Sequence, residues 1–125
     1  MTSVTQDDVQ IRIELYITDS GQTPYADWLH GMRDTRSRGR IRARMNRVRL
    51  GNLGKWRPVG DGVKELIFDF GPGYRVYYGH LGITIILLLC AGDKSTQAAD
   101  IITAKEYWAD YYAQPGKEST HAKAN

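Results

Sequence analysis

One cysteine, Cys90, stands among 125 residues, so no internal disulfide can form and this is not a disulfide-stapled scaffold. The three histidines, His30, His80 and His121, are scattered, and no HxH or CxxC spacing or acidic binding loop exists to hold a metal. No GxGxxG or Walker sequence precedes a helix, because Gly71-Pro72-Gly73 lies between two predicted strands. No Ser-His-Asp arrangement is indicated either. An enzyme with this sequence is expected to work without a cofactor. The longest apolar run, Ile83 to Cys90, is interrupted by Thr84 and falls far short of the roughly 20 residues that span a bilayer. The polar, acidic start MTSVTQDDVQ predicts no signal peptide or basic transit sequence, and with that a cytoplasmic location without membrane partners.

Acidic residues are nearly missing from one stretch. Between residues 33 and 57 ten arginines and lysines face Asp34 alone, a local charge of +9, while the remainder carries 7 basic and 13 acidic residues. The overall +3 therefore conceals a strong local field that attracts polyanions or acidic proteins. The plainer reading is a solvated helix face.

The period of the apolar residues outlines the elements. Val9, Ile11, Ile13, Leu15 and Ile17 alternate with Gln10, Arg12, Glu14 and Tyr16, predicting a half-buried strand. Thr23-Pro24 opens a short helix. A second helix is predicted over about 35–50, with Ile41, Met45 and Val48 as its narrow apolar stripe and arginines on both flanks. Lys55 to Pro58 reads as a loop continuing the basic surface. Strands are predicted at Val63–Phe70, Tyr74–His80 and Ile83–Cys90, the last covered on both faces with Cys90 as a buried small hydrophobe. A third helix follows from about Gln97 to Tyr112. The result is a compact α+β domain over 9–113 in the order β-α-α-β-β-β-α, with a mostly antiparallel sheet of about four strands, two N-terminal helices and one C-terminal helix. Residues 1–8 read as a tail and 114–125 as a disordered one.

Pairing Phe70 with Tyr74 places Leu66, Phe68, Val76 and Tyr78 on one apolar face, and Glu65, Ile67, Asp69, Arg75 and Tyr77 on the other. Two readings stay open: a surface salt bridge between Arg75 and Asp69, or a shallow site in which an arginine holds a phosphate and a glutamate or tyrosine moves a proton.

Four separated motifs then carry a resemblance: Gly51-Asn52-Leu53-Gly54; Gly62-Val63-Lys64-Glu65-Leu66; Gly71-Pro72-Gly73-Tyr74-Arg75-Val76-Tyr77-Tyr78; and Gly92-Asp93-Lys94-Ser95-Thr96-Gln97 with Asp100-Ile101. In this order they closely resemble the addiction-module killer proteins, the HigB-like branch of the RelE/ParE toxin superfamily, over about residues 9–112. The resemblance implies the toxin of a type II toxin–antitoxin pair, which cuts mRNA on the ribosome without a metal and takes no small-molecule ligand. Its partners would be the ribosome, mRNA and a cognate helix-turn-helix antitoxin. The attacking group would be the RNA's own 2′-hydroxyl, which needs a base, cations for the phosphate and an acid for the leaving oxygen. By this resemblance Arg75 stabilises the phosphate and Lys94 contacts it or protonates the leaving oxygen. Arg38, Arg40, Arg42, Arg44, Arg47, Arg49, Lys55 and Arg57 bind RNA backbones. Glu65 stands where RelE-like members carry a lysine and is the candidate base. Asp100 replaces a tyrosine of those members and is either catalytic or a helix-start residue. Ile67 stands where many close relatives carry an arginine. The departures leave two alternatives, a ParE-like DNA gyrase inhibitor without nuclease activity and a catalytically inactive RNA-binding member.

Overall fold

The computed structural model describes residues 10–114; the predicted tail 1–8, Val9 and all of the predicted tail 114–125 beyond Gln114 lie outside the described residues. The chain is an α+β domain built on one five-stranded mixed sheet. Its elements are β1 (Arg12–Leu15), α1 (Pro24–His30), α2 (Thr35–Arg49), β2 (Trp56–Gly60), β3 (Val63–Ile67), β4 (Arg75–His80), β5 (Ile85–Gly92), a 3-10 turn (Lys94–Thr96) and α3 (Gln97–Ala113). The sheet order is β1-β5-β4-β3-β2, antiparallel throughout except where β1 runs parallel to β5 at one edge.

Two apolar layers cover the two faces. Ile41, Met45 and Val48 of α2, with Tyr25 and Leu29 of α1, pack on Leu66, Phe68, Val76, Tyr78, Ile86 and Leu88. Ala104 and Tyr111 of α3 pack on Val63, Tyr77, Leu87 and Leu89. Strand β5 feeds both layers, which is why its sequence is apolar without alternation. Cys90 is buried as expected; burial pushes its thiol up to about 12, so it stays protonated. Helix α2 starts on Asp34, whose carboxylate accepts the Ser37 hydroxyl at 2.8 Å and the Arg36 amide at 3.1 Å.

Three local readings are corrected. Lys55–Pro58 is not all loop, because Trp56–Gly60 forms a fifth strand against β3. Pro58 argues against a central strand, but here it occupies the sheet edge, beside a bulge between Pro58 and Gly60, where a missing N–H costs no ladder bond. The β3–β4 register differs by two residues from the expected one. Phe68, not Phe70, meets Tyr74 across the ladder, with its N–H on the Tyr74 carbonyl at 3.1 Å. Phe70 and Gly73 close a turn of their own and lengthen the connection. A slip of two preserves the faces, so the predicted division of side chains survives. Just beyond β1, finally, Tyr16 is not on a wet face. It is buried, stacks on Tyr107 with ring centroids 4.6 Å apart and donates to Asp110, while Leu15 and Ile17 remain exposed at the sheet edge.

Candidate functional site

Register aligns the polar residues. Arg57 pairs with Glu65 across β2–β3, Glu65 with Tyr77 across β3–β4, and Tyr77 with Cys90 across β4–β5. This row runs over four strands on the face covered by α3, and Arg75, two residues before Tyr77, shares that face. The neighbouring rung is Ile67, Arg75 and Gly92.

Glu65 is the centre of the cluster. It is 0% exposed and both its oxygens are occupied: Oε1 accepts from Arg57 Nε at 2.8 Å, and Oε2 from Gln97 Nε2 at 2.9 Å. Arg75 is 7% exposed, and its Nη1 donates to the Gly73 and Tyr74 carbonyls at 3.0 Å each. Its Nε stands 3.7 Å from Glu65 Oε1, close enough for an ion pair and too far for a hydrogen bond. Two guanidiniums therefore share one buried carboxylate. A buried carboxylate without such partners would cost several kcal/mol (roughly, per ion), which is what ties the three side chains into one unit. The Tyr77 phenol is pushed up first by burial and then by the Glu65 charge, so it remains neutral.

The reading of a surface salt bridge between Arg75 and Asp69 is thus corrected, and so is the shallowness expected of the alternative site. Asp69 lies outside the ladder and pairs with Lys55 at 3.3 Å, and the site is roofed by the start of α3 through Gln97. Lys94 is exposed on the 3-10 turn, its stem lying over Gly73, the residue whose carbonyl holds Arg75. Gly73 has φ 82°, and a Cβ there would meet Lys94 Cγ at 3.0 Å, so this glycine permits both the turn and the approach of the lysine. Asp93 caps the turn by accepting the Ser95 amide at 2.8 Å, and the Ser95 hydroxyl helps hold its carboxyl below the usual range. Asp100 sits in the first turn of α3, accepts the Thr96 hydroxyl and packs against Gly92, while its backbone carbonyl faces the Cys90 thiol at 3.7 Å. It fills the helix-start role, and the Gly92 it packs against is the ladder partner of Arg75.

The arginine run on α2 is not one surface. Arg44 donates to the Leu53, Lys55 and Ile67 carbonyls at 2.8–3.0 Å and lies 4.7 Å over the Phe68 ring. It is a clamp between helix and sheet, with its pKa lowered by burial. Arg38 donates to the Met32 carbonyl at 2.7 Å. Arg40 stacks 3.9 Å over Phe70 and, with Arg47, lines an open groove of about 310 Å³ against Phe68 and Phe70. Arg42 and Arg49 lie on the other flank, beside Tyr25 and Met45. Lys55 and Arg57 carry the basic surface from the Arg40 side around the sheet edge to Glu65. Sequence reasoning placed Arg57 only on the RNA surface and met Gln97 only inside a motif. Their convergence on Glu65 links positions 8 and 32 residues apart, which no local spacing signals.

Among the described residues no helix is long and apolar enough to cross a membrane. A Haemophilus influenzae protein described as uncharacterized is 43% identical over 81 residues, covering 65% of this chain and 82% of that protein. No family model matches the chain, and no solved structure does.

Proposed function

We propose a function from the cationic site, because the chain belongs to the family of the uncharacterized Haemophilus influenzae protein and that kinship supplies no activity. The chain is the toxin of a type II toxin–antitoxin pair, a ribosome-dependent mRNA endonuclease of the RelE/ParE superfamily that inhibits translation. The observation that carries this reading is the excess of cations around Glu65. Arg57 and Arg75 share its single charge, the Arg75 Nε–H is a buried donor without an acceptor at hydrogen-bond distance, and Lys94 stands exposed beside them. An anion completes such a set, and a phosphodiester approaching its transition state gains negative charge there.

In the reaction the RNA 2′-oxygen attacks the adjacent phosphorus and the bond to the 5′-oxygen breaks, giving a 2′,3′-cyclic phosphate and a 5′-hydroxyl. Arg75 and Arg57 take the charge on the phosphoryl oxygens, and Lys94 protonates the leaving oxygen or contacts the phosphate. Glu65 holds the two guanidiniums at rest and, on releasing Arg57 or Gln97, takes the proton that the attacking 2′-hydroxyl loses. Arg40, Arg47, Lys55 and Arg57 form the flank that meets RNA backbone, with Arg44 as its internal brace. The antitoxin is a helix-turn-helix protein.

Expression without an antitoxin, followed by mapping of mRNA 5′ ends, tests this. Wild type is expected to arrest growth and cut within codons. Lys94→Gln and Arg57→Gln, checked by circular dichroism, should slow cutting by 100-fold or more. Full cutting by both folded variants would remove the site. DNA breaks with intact mRNA would instead indicate a gyrase-directed toxin.

A further inference from the structure

The outer edge of β1 lies apart from the Glu65 cluster and carries backbone groups of its own. Arg12 N–H bonds to the Thr84 carbonyl at 2.8 Å and Tyr16 N–H to the Leu88 carbonyl at 2.9 Å. In a parallel ladder alternate residues bond the same neighbour, so Ile13 and Leu15 turn their N–H and C=O groups away from β5. No other strand among the described residues covers that side. Beside the edge lies a furrow between β1 and the two N-terminal helices, made of adjoining cavities of about 210 and 250 Å³ that share Tyr25, Met45 and Arg49. Ile13 and Leu15 line its floor, and Arg42 and Arg49 its rim; no carboxylate lines either cavity. On this side Ile11 is already tied to the C-terminus of α2, its N–H on the Arg49 carbonyl at 2.8 Å, so the uncovered stretch of the four-residue strand is Ile13 and Leu15. An uncovered edge is a template for another chain.

We propose that this edge binds an extended acidic segment of a partner protein, added as a sixth strand. Three observations select that occupant. The N–H and C=O groups of Ile13 and Leu15, which no strand among the described residues takes up, call for extended backbone. The apolar floor takes a side chain at every second position, as in strand addition generally. The arginine rim, unopposed by acid, asks for Asp or Glu flanking those apolar positions. Arg42 and Arg49, remote from the Glu65 cluster on the opposite face of the sheet, thereby acquire a role that the RNA-facing flank does not need. The proposal stands independently of the nuclease reading.

The probe is an acetylated, amidated nonapeptide, EEVTVTVEE, added to the full chain while amide hydrogen exchange is followed residue by residue. Binding should slow exchange at Ile13 and Leu15 at least tenfold. The scrambled peptide VVVEETTEE and the basic peptide KKVTVTVKK should bind at least tenfold more weakly. So should EEVTVTVEE itself to a folded Arg42→Glu, Arg49→Glu variant. N-methylation of the peptide at alternate residues should abolish the protection in one of the two possible sets and spare it in the other. Absence of protection at Ile13 and Leu15, or equal binding of the scrambled peptide, overturns the proposal. So does protection of both amides in the free chain, which would mean that the edge is already taken by a segment of this chain or by a second copy.

Discussion

Arg42 and Arg44 are two residues apart on one helix, and composition treats them alike. Burial separates them: Arg44 carries hydrogen bonds to three carbonyls and a stacked phenylalanine, whereas Arg42 is exposed. Arg44→Ala is expected to lower stability by roughly 1.5–3 kcal/mol, the range for hydrogen bonds to a charged group, in urea unfolding. Arg42→Ala should stay within about 0.5 kcal/mol of wild type. Glu65 gives a second contrast of this kind. Its removal leaves the buried Arg75 without a carboxylate, so Glu65→Ala should cost about 3–5 kcal/mol, measured the same way. Glu65→Gln keeps an acceptor for Arg57 and should cost less. A carboxylate on the protein surface would show no such difference.

Helix α2 and strand β2 illustrate how an element is decided by its ends and its neighbours. The start of α2 rests on Asp34, whose carboxyl lies below its usual pKa chiefly because the Ser37 hydroxyl donates to it. The folded state thus releases this proton more readily than the unfolded chain. The unfolded state binds more protons in the window between the two values, so the cap's contribution is complete above the usual aspartate value of about 3.9 and is lost as pH falls through the folded value. Asp34→Ala should therefore melt lower than wild type at pH 7, and the gap should close in thermal melts taken at progressively lower pH below 4. Further along the same helix, Ile41 is fully buried, and Ile41→Ala should cost about 2–5 kcal/mol in the same melts. Strand β2 is short, interrupted by Pro58, and held by pairing with β3. It exists as a strand because β3 offers a partner, and its own residues carry little sign of it.

Over the whole molecule helix α2, seated on the sheet by Ile41, Met45 and Val48, separates two charged regions that are continuous in sequence. One flank of α2 continues through Lys55 to Arg57 and the Glu65 cluster; the other, with Arg42 and Arg49, faces the β1 edge. If the first flank meets single-stranded RNA phosphates, the slope of log affinity against log salt should fall by about 0.7 for each contact removed. Arg40→Gln, Arg47→Gln and Lys55→Gln should each show this in filter binding at several salt concentrations. Arg42→Gln and Arg49→Gln should leave the slope unchanged. A common reduction across all five would mean that RNA is held by the whole helix and that the two flanks are not distinct.

The order of helices and strands apart from β2, the apolar faces of β3 and β4, the stripe on α2 and the burial of Cys90 were legible in the residues alone. Each depends on periodicity within one element, or on a turn signal beside it, and those are local quantities. The position of Arg75, Lys94 and Asp100 near one another came from a resemblance between motifs, with no distance attached. Tertiary structure decided that Glu65 holds Arg57 and accepts from Gln97, that Arg44 braces the fold, and that no strand among the described residues pairs with the outer side of β1. These outcomes depend on which strands become neighbours and which groups lose water. Sequence separation carries no record of either, because the energy of burying a charge is set by the partners that the completed fold brings to it.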